Sequence, residues 1–412
     1  MRNIIKLSLL ATMTLSSVVI ADESVKTASN IQEMFKNGKV SGQIRLAYLD
    51  VDTKVTGAND TSATAIGGQL KFETASLNGL SLGAAFYTSH AITALSGEEN
   101  DDKFNEELTS SEKHYTELAE AYINYAYNSL NIRIGRQLLD TPLADSDDIR
   151  MTPHTFEAAV ASYTFDDIGL TLIGASIQRW QGVDADYENV IDNGWAETNG
   201  EDGSGTYMVA TTYSKNNIEA GAWYYDIDKL TKATYIDAAY TLALGEAELT
   251  LAAQYLNESE SDNSNIDGSI AGAMVEASFF GITAGLAYDD VSVDNGKEIF
   301  EGFGGGSSYT NMDTMTAGSL HDGTYGDGKS FVASLGYEIA GANIFAAYGD
   351  FKADAIGAGD KAHVTEIDLG VEYAYSDEID AALYYIIGKD KESSAKTEFD
   401  DSHVQLTLNY NF

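Results

Sequence analysis

From Val40 to Phe412 the chain repeats one pattern, in which apolar and polar side chains alternate with a period of two. The last window is the clearest. Val404, Leu406, Leu408, Tyr410 and Phe412 alternate with His403, Gln405, Thr407, Asn409 and Asn411. Successive side chains of an extended strand point to opposite faces, so such a run has an apolar medium on one side and water on the other. Val40, Ile44, Leu46 and Tyr48 alternate in the same way with Ser41, Gln43 and Arg45. So do Ile66, Leu70 and Phe72 with Gln69, Lys71 and Glu73, and Ile367, Leu369, Val371 and Tyr373 with Glu366, Asp368 and Glu372. Strands are predicted near 39–49, 64–74, 80–89, 116–127, 130–136, 156–165, 168–180, 206–213, 217–226, 232–242, 246–256, 269–279, 281–289, 329–338, 342–351, 363–374, 378–388 and 402–412. Those at 156–165 and 168–180 alternate poorly and are expected to carry bulges.

The connections fall into two classes. Ser76 to Gly79, Asn128-Ser129, Asp166-Asp167, Ser214 to Asn216, the neighbours of Gly281, Ala340-Gly341 and Ser376-Asp377 are short, whereas 90–115, 137–155, 181–205, 257–268, 290–328 and 389–401 are long. Tight turns at one end and large loops at the other describe a transmembrane up-and-down antiparallel β-barrel, all-β, with eighteen strands expected. Hydrocarbon offers backbone groups no partners, so the sheet must close. A barrel of about 16–18 strands leaves a water-filled lumen. Aromatic residues at strand ends suit the membrane interfaces: Tyr48, Phe72, Tyr163, Phe165, Tyr225, Tyr288, Tyr348, Tyr385, Tyr410 and Phe412.

Composition narrows the class further. The 412 residues include no Cys, two Pro, 38 Gly and 25 Tyr, with 64 acidic and 24 basic side chains for a formal charge of −40. That excludes a disulfide-stapled module and a nucleic-acid binder, and 44% hydrophobic content excludes an acidic disordered chain. Residues 1–21 read as a signal peptide, with Arg2 and Lys6 ahead of an apolar run; 22–38 form a periplasmic N-terminal segment and 39–412 the barrel. Losing Arg2 and Lys6, and no acidic residue, takes the charge from −40 to −42. The expected location is the outer membrane of a Gram-negative bacterium.

Both prolines, Pro142 and Pro153, fall in the third external loop. Proline removes a ladder donor and fixes φ, so this connection is expected to be a shaped segment that folds inward and narrows the lumen. Around it lie Gly135-Arg136-Gln137, Asp140-Thr141-Pro142-Leu143, Asp147-Asp148-Ile149-Arg150-Met151 and Thr155-Phe156-Glu157. With Phe35-Lys36-Asn37-Gly38-Lys39-Val40-Ser41-Gly42 and the terminal Phe412, these motifs resemble outer-membrane porins of the OprD family, particularly its epsilonproteobacterial branch. The resemblance implies an eighteen-stranded channel, a monomer with a trimer as the other arrangement. It also implies passage of small carboxylate-bearing or amino-acid-like solutes past a row of lumenal basic residues.

Alternation puts Arg45, Lys71 and Arg133 on the lumenal phase, with Arg136 and Arg150 flanking or entering the loop and Asp147, Asp148 and His154 within it. These form the candidate constriction, although loop carboxylates could equally be the partners of the guanidinium groups. The phase of Arg179 is not fixed by its neighbours. Glu219, Asp237, Glu248, Glu276, Glu366, Asp368, Glu372 and Asp380 alternate with apolar residues and form an acidic lumenal wall, since a carboxylate facing lipid is costly. The net charge predicts cation selectivity. The six His include no paired-ligand or hydrolase motif, and no metal site, cofactor or enzymatic activity is expected. Expected partners are outer-membrane lipid and lipopolysaccharide, small hydrophilic solutes, and the barrel assembly machinery acting on the strand that ends at Phe412. The competing reading is a structural or adhesive barrel without an open channel.

Overall fold

The two phases of the alternation lie on opposite faces of one closed sheet. The computed structural model describes residues 26–97, 103–110, 113–183, 185, 195–198, 204–294, 296–356, 359–392 and 399–412, and the signal peptide expected at 1–21 lies outside these. Eighteen antiparallel strands form the barrel. They are β1 (Lys39–Thr53), β2 (Thr61–Glu73), β3 (Leu80–Ala91), β4 (His114–Tyr127), β5 (Leu130–Gln137), β6 (Thr155–Phe165), β7 (Leu170–Gln181), β8 (Thr206–Lys215), β9 (Ile218–Ile227), β10 (Thr231–Leu244), β11 (Ala247–Glu260), β12 (Gly268–Phe279), β13 (Ile282–Val293), β14 (Tyr325–Ile339), β15 (Ala342–Ala355), β16 (Ala362–Ala374), β17 (Ile379–Asp390) and β18 (Asp401–Asn411). Sequence neighbours pair throughout, and β1 closes on β18 in a register from Gln43 opposite Asn411 to Thr53 opposite Asp401. Closure gives each strand two partners, as an apolar solvent demands.

Ile44, Leu70, Ile134, Leu251, Leu335 and Leu408 are exposed on the outside, while Gln43, Arg45, Gln254, Asp289, Gln405 and Asn409 are buried on the inside. The aromatic positions follow the expected girdles with one correction. Tyr225 points inward at 1% exposure, and its neighbour Tyr224 takes the outer phase. Two adjacent aromatic residues cannot share a face of a strand, and the apolar run Trp223-Tyr224-Tyr225 hid which one was outside.

The turns at the short end show why they are short. Asn216 and Asn217 link β8 to β9 with φ of 55° and 62°, the left-handed pair that a tight hairpin requires and that Asn adopts at low cost. The expected irregularity of β6 and β7 is a register shift between Glu157 and Ala158, where Gln178 is the extra residue. At the opposite end the loops are less uniform than the sequence suggests. The β9–β10 connection spans only 228–230, and extension of β11 shortens the next to 261–267.

Candidate permeation pathway

Loop L3, residues 138–154, leaves the end of β5 and turns into the lumen. Its two prolines interrupt strand formation, and Asp140–Thr141 pairs with Ala144–Asp145 as a small hairpin separate from the wall. Two arginines fasten it. Arg45, projecting inward from β1 at 3% exposure, donates from Nη1 and Nη2 to the Asp148 carboxylate at 2.7 and 2.9 Å, from Nη1 to the Arg150 carbonyl at 2.5 Å and from Nε to Asn409 at 2.9 Å. Arg150 in turn donates to Glu107 of the preceding loop at 2.7 Å and to Gln405 of β18 at 2.9 Å, and Gln405 donates to the Ile149 carbonyl at 2.7 Å. Planar guanidinium forks suit this work because each satisfies several acceptors in fixed directions.

A second inward loop was not foreseen. L7, residues 294–324, docks on the inner faces of β13, β14 and β16: Thr310 donates to Asp289 and meets the Ser330 hydroxyl, and Thr314 donates to Glu366 through its N–H at 3.0 Å. L7 also meets L3. Asp145 N–H donates to the Phe303 carbonyl at 2.9 Å and Phe303 N–H to the Leu143 carbonyl at 3.1 Å, a parallel bridge across the lumen. Gly304, with φ of 104°, makes that approach possible, since a Cβ there would sit 2.4 Å from the Asp145 carbonyl oxygen. Leu139, Leu143, Phe303 and Ala317 pack with the inward Trp180, Trp223 and Tyr225 into an apolar core inside the barrel. Tyr309, Met315 and Leu320 build another against β10 to β16. The signal was present in the sequence: a loop carrying Phe300, Phe303, Tyr309, Met312, Met315 and Leu320 is too apolar to stand in water.

The structure sorts the candidate constriction residues into three groups. Arg45 and Arg150 are buried and hold L3 in place, Arg45 through Asp148 and Arg150 through Glu107, with Asp147 in the same loop. Lys71 and Arg133 face the lumen from β2 and β5. Lys71 pairs with Glu120 at 2.9 Å, whereas Arg133 lies 4.4 Å over the Tyr122 ring and donates to Asn124 at 3.2 Å. Arg133 has no carboxylate within ion-pair distance among the described residues. Arg136 and His154 are corrections. Arg136 pairs in register with Ala121 and shares the face of the exposed Ile123 and Ile134, so it lies on the outer phase. There it contacts Glu157 at 3.6 Å and lies 4.6 Å over Trp195. Arg179 binds the same Glu157 at 2.6 Å. The predicted strand 130–136 already includes Arg136, but its place in the candidate constriction rests on nearness to the loop rather than on the phase it shares with Ile134, which β5 keeps. His154 is fully buried, edge-on to Trp180 at 5.5 Å, because the chain re-enters the wall there and packs against the intraluminal core.

All eight acidic positions take the inward phase, but they divide by height. Glu366 and Asp368 are buried against L7, with Asp368 accepting from the Asp313 N–H at 3.4 Å, and Asp237 is buried too. Glu372 accepts from Tyr384 at 3.0 Å, and Asp380 accepts from Asn409 and Asn411 at 2.7 and 2.8 Å. Glu219, Glu248 and Glu276 stand within a few residues of the short turns, at the opposite mouth from L3 and L7.

Within L3, burial, then Asp140 and Asp147 beside it, push the Asp145 carboxyl up to about 7 from 3.8. The docked loop therefore holds a proton that the released loop gives up. Docking is strongest below pH ~4 and weakens as pH rises through ~7. Proteolysis of L3 in the purified barrel should accelerate between pH 5 and pH 8, and Asp145→Asn should flatten that profile; an unchanged profile in the variant would refute the assignment.

A family model described as outer membrane porin, OprD family, matches residues 32–344. No curated protein matches the sequence. Among solved structures, Pseudomonas aeruginosa OpdK with vanillate aligns with a TM-score of 0.75 at 17% identity, covering 92% of this chain and 99% of that one. Pseudomonas aeruginosa OccK9 (OpdG) aligns at 0.77 and 16% identity, again over 92% and 99%. Pseudomonas aeruginosa OccK2 (OpdF) in complex with glucuronate aligns at 0.73 and 14% identity over the same shares.

Proposed function

We propose that this chain, which belongs to the OprD family of outer-membrane porins, is a cation-selective channel in which a lumenal arginine guides solutes bearing a carboxylate. That it forms an outer-membrane channel for small solutes follows from the family and the barrel. The finer reading rests on Arg133. Most cations near the lumen are bonded to carboxylates of the wall or of L3, which leaves them little to offer a solute. Arg133 instead rests on an aromatic ring and a neutral amide, so its guanidinium can take a carboxylate without first losing one. Vanillate and glucuronate, held by two of the similar structures, are both carboxylates. The acidic side chains of the remaining wall would accumulate cations and face the other end of a zwitterion.

Liposome swelling distinguishes guidance from simple sieving. Arg133→Ala should slow entry of small monocarboxylates and amino acids while leaving an uncharged sugar of similar size unaffected, and Arg133→Lys should recover part of the rate. Equal slowing of sugar and carboxylate would remove Arg133 from the pathway. Reversal potentials across a KCl gradient should show cation preference in the parent protein, and a preference for chloride would overturn the selectivity.

A further inference from the structure

We propose that the segment ahead of β1 is a membrane foot: it lies in the periplasmic leaflet and engages anionic phospholipid headgroups through Lys26 and Lys36. The placement takes the short turns as the periplasmic end. Its core is the helix α1 (Ile31–Lys36), a turn and a half that could not persist alone. Asn30 caps it by accepting from the Glu33 N–H at 2.9 Å, and the Glu33 carboxylate folds back to accept from the Ser29 N–H and hydroxyl at 3.0 and 2.7 Å. Met34 packs inward, its carbonyl accepting from the Ala75 N–H at 2.9 Å. Ile31 and Phe35, one turn apart on the same face, stay 68% and 51% exposed.

That exposed face continues the lipid-facing wall. The Phe35 ring stacks on Phe72 at 6.3 Å and 17°, and Phe72 sits opposite Val40 on the outer phase shared by Ile44 and Leu70. An apolar surface joined to the hydrocarbon-facing wall belongs in the same medium. Charge indicates which lipid meets it. In a chain with 64 acidic and 24 basic residues, Lys26 and Lys36 are exposed at the foot while Glu33 is turned to its own helix terminus. A basic patch with apolar wedges matches an anionic phospholipid interface, whereas the acidic surface elsewhere repels one.

The absence of Cys makes each site addressable singly. Nitroxide labels at Ile31→Cys, Ile44→Cys and Asn59→Cys would be compared in vesicles of phosphatidylethanolamine and phosphatidylglycerol, by relaxation with oxygen and with a water-soluble nickel chelate. The label at position 31 should resemble the wall position 44, rich in oxygen and shielded from nickel, and differ from the external-loop position 59. A position 31 label as accessible to nickel as position 59, with position 44 still shielded, would overturn the foot while leaving the barrel intact. Native mass spectrometry reads the headgroup: Lys26→Gln with Lys36→Gln should lower retention of phosphatidylglycerol relative to phosphatidylethanolamine by about 25-fold, roughly fivefold per lysine. Unchanged retention would overturn the charge assignment.

Discussion

Arg45→Ala is expected to widen the channel: single-channel conductance in planar bilayers should rise and become noisier, with the barrel still folded. One guanidinium here satisfies Asp148 twice, the Arg150 carbonyl and Asn409, so its loss frees the loop at its midpoint and removes a wall-to-loop connection. Breaking a buried ion pair costs ~3–5 kcal/mol, and that is a ceiling here, because Asp148 keeps 35% side-chain exposure and regains water. The loss falls on L3 rather than the wall, since the β1–β2 and β1–β18 ladders are backbone bonds that alanine retains. Arg45→Lys keeps the charge but not the fork and should lie between the two. The Arg150 contacts to Glu107 and Gln405 form a second anchor, so the double variant with Arg150→Ala should exceed either single one. Parent-like conductance in Arg45→Ala would mean that L3 is held by its apolar core alone.

The wall was legible because a strand between lipid and water writes its orientation into every second residue. Val404 to Phe412 needs no tertiary information to be placed. The inward loops were legible only in part. L3 announced itself through Pro142 and Pro153, which no central strand tolerates, but L7 contains no proline, and its cue was apolar content that matters only once the barrel supplies a wall to pack on. The site residues divided along the same line. Arg45, Lys71 and Arg133 stand between apolar neighbours that fix them on the inner face, whereas Arg136 was joined to the constriction by its nearness to the loop although it shares the outer phase of Ile134. Burial was beyond reach throughout. Whether Arg45 or Glu366 meets water depends on L3 and L7, whose contacts span residues far apart in sequence.

The acidic wall carries the second large expectation, and the division by height decides which members matter. Glu366 and Asp368 are buried against L7, with the Thr314 hydroxyl on one and the Asp313 N–H on the other, so they should act mainly on loop docking. Glu219, Glu248 and Glu276 line one arc of the other mouth, on β9, β11 and β12, on the inward phase that permeant ions would meet in water. A unit charge ~10 Å from an ion at the dielectric constant of water contributes about 0.4 kcal/mol, close to twofold in local concentration. Replacing all three by Gln should therefore lower local potassium by up to about eightfold and raise local chloride by about as much, so that the potassium-to-chloride permeability ratio falls by up to about 60-fold in dilute salt. In 1 M KCl, where the screening length is ~3 Å, the difference should largely disappear. Glu366→Gln alone should leave the ratio nearly unchanged while loosening L7. If the triple variant kept the parent's selectivity in dilute salt and Glu366→Gln abolished it, the ions would be selected at the loops, and the mouth would only collect them.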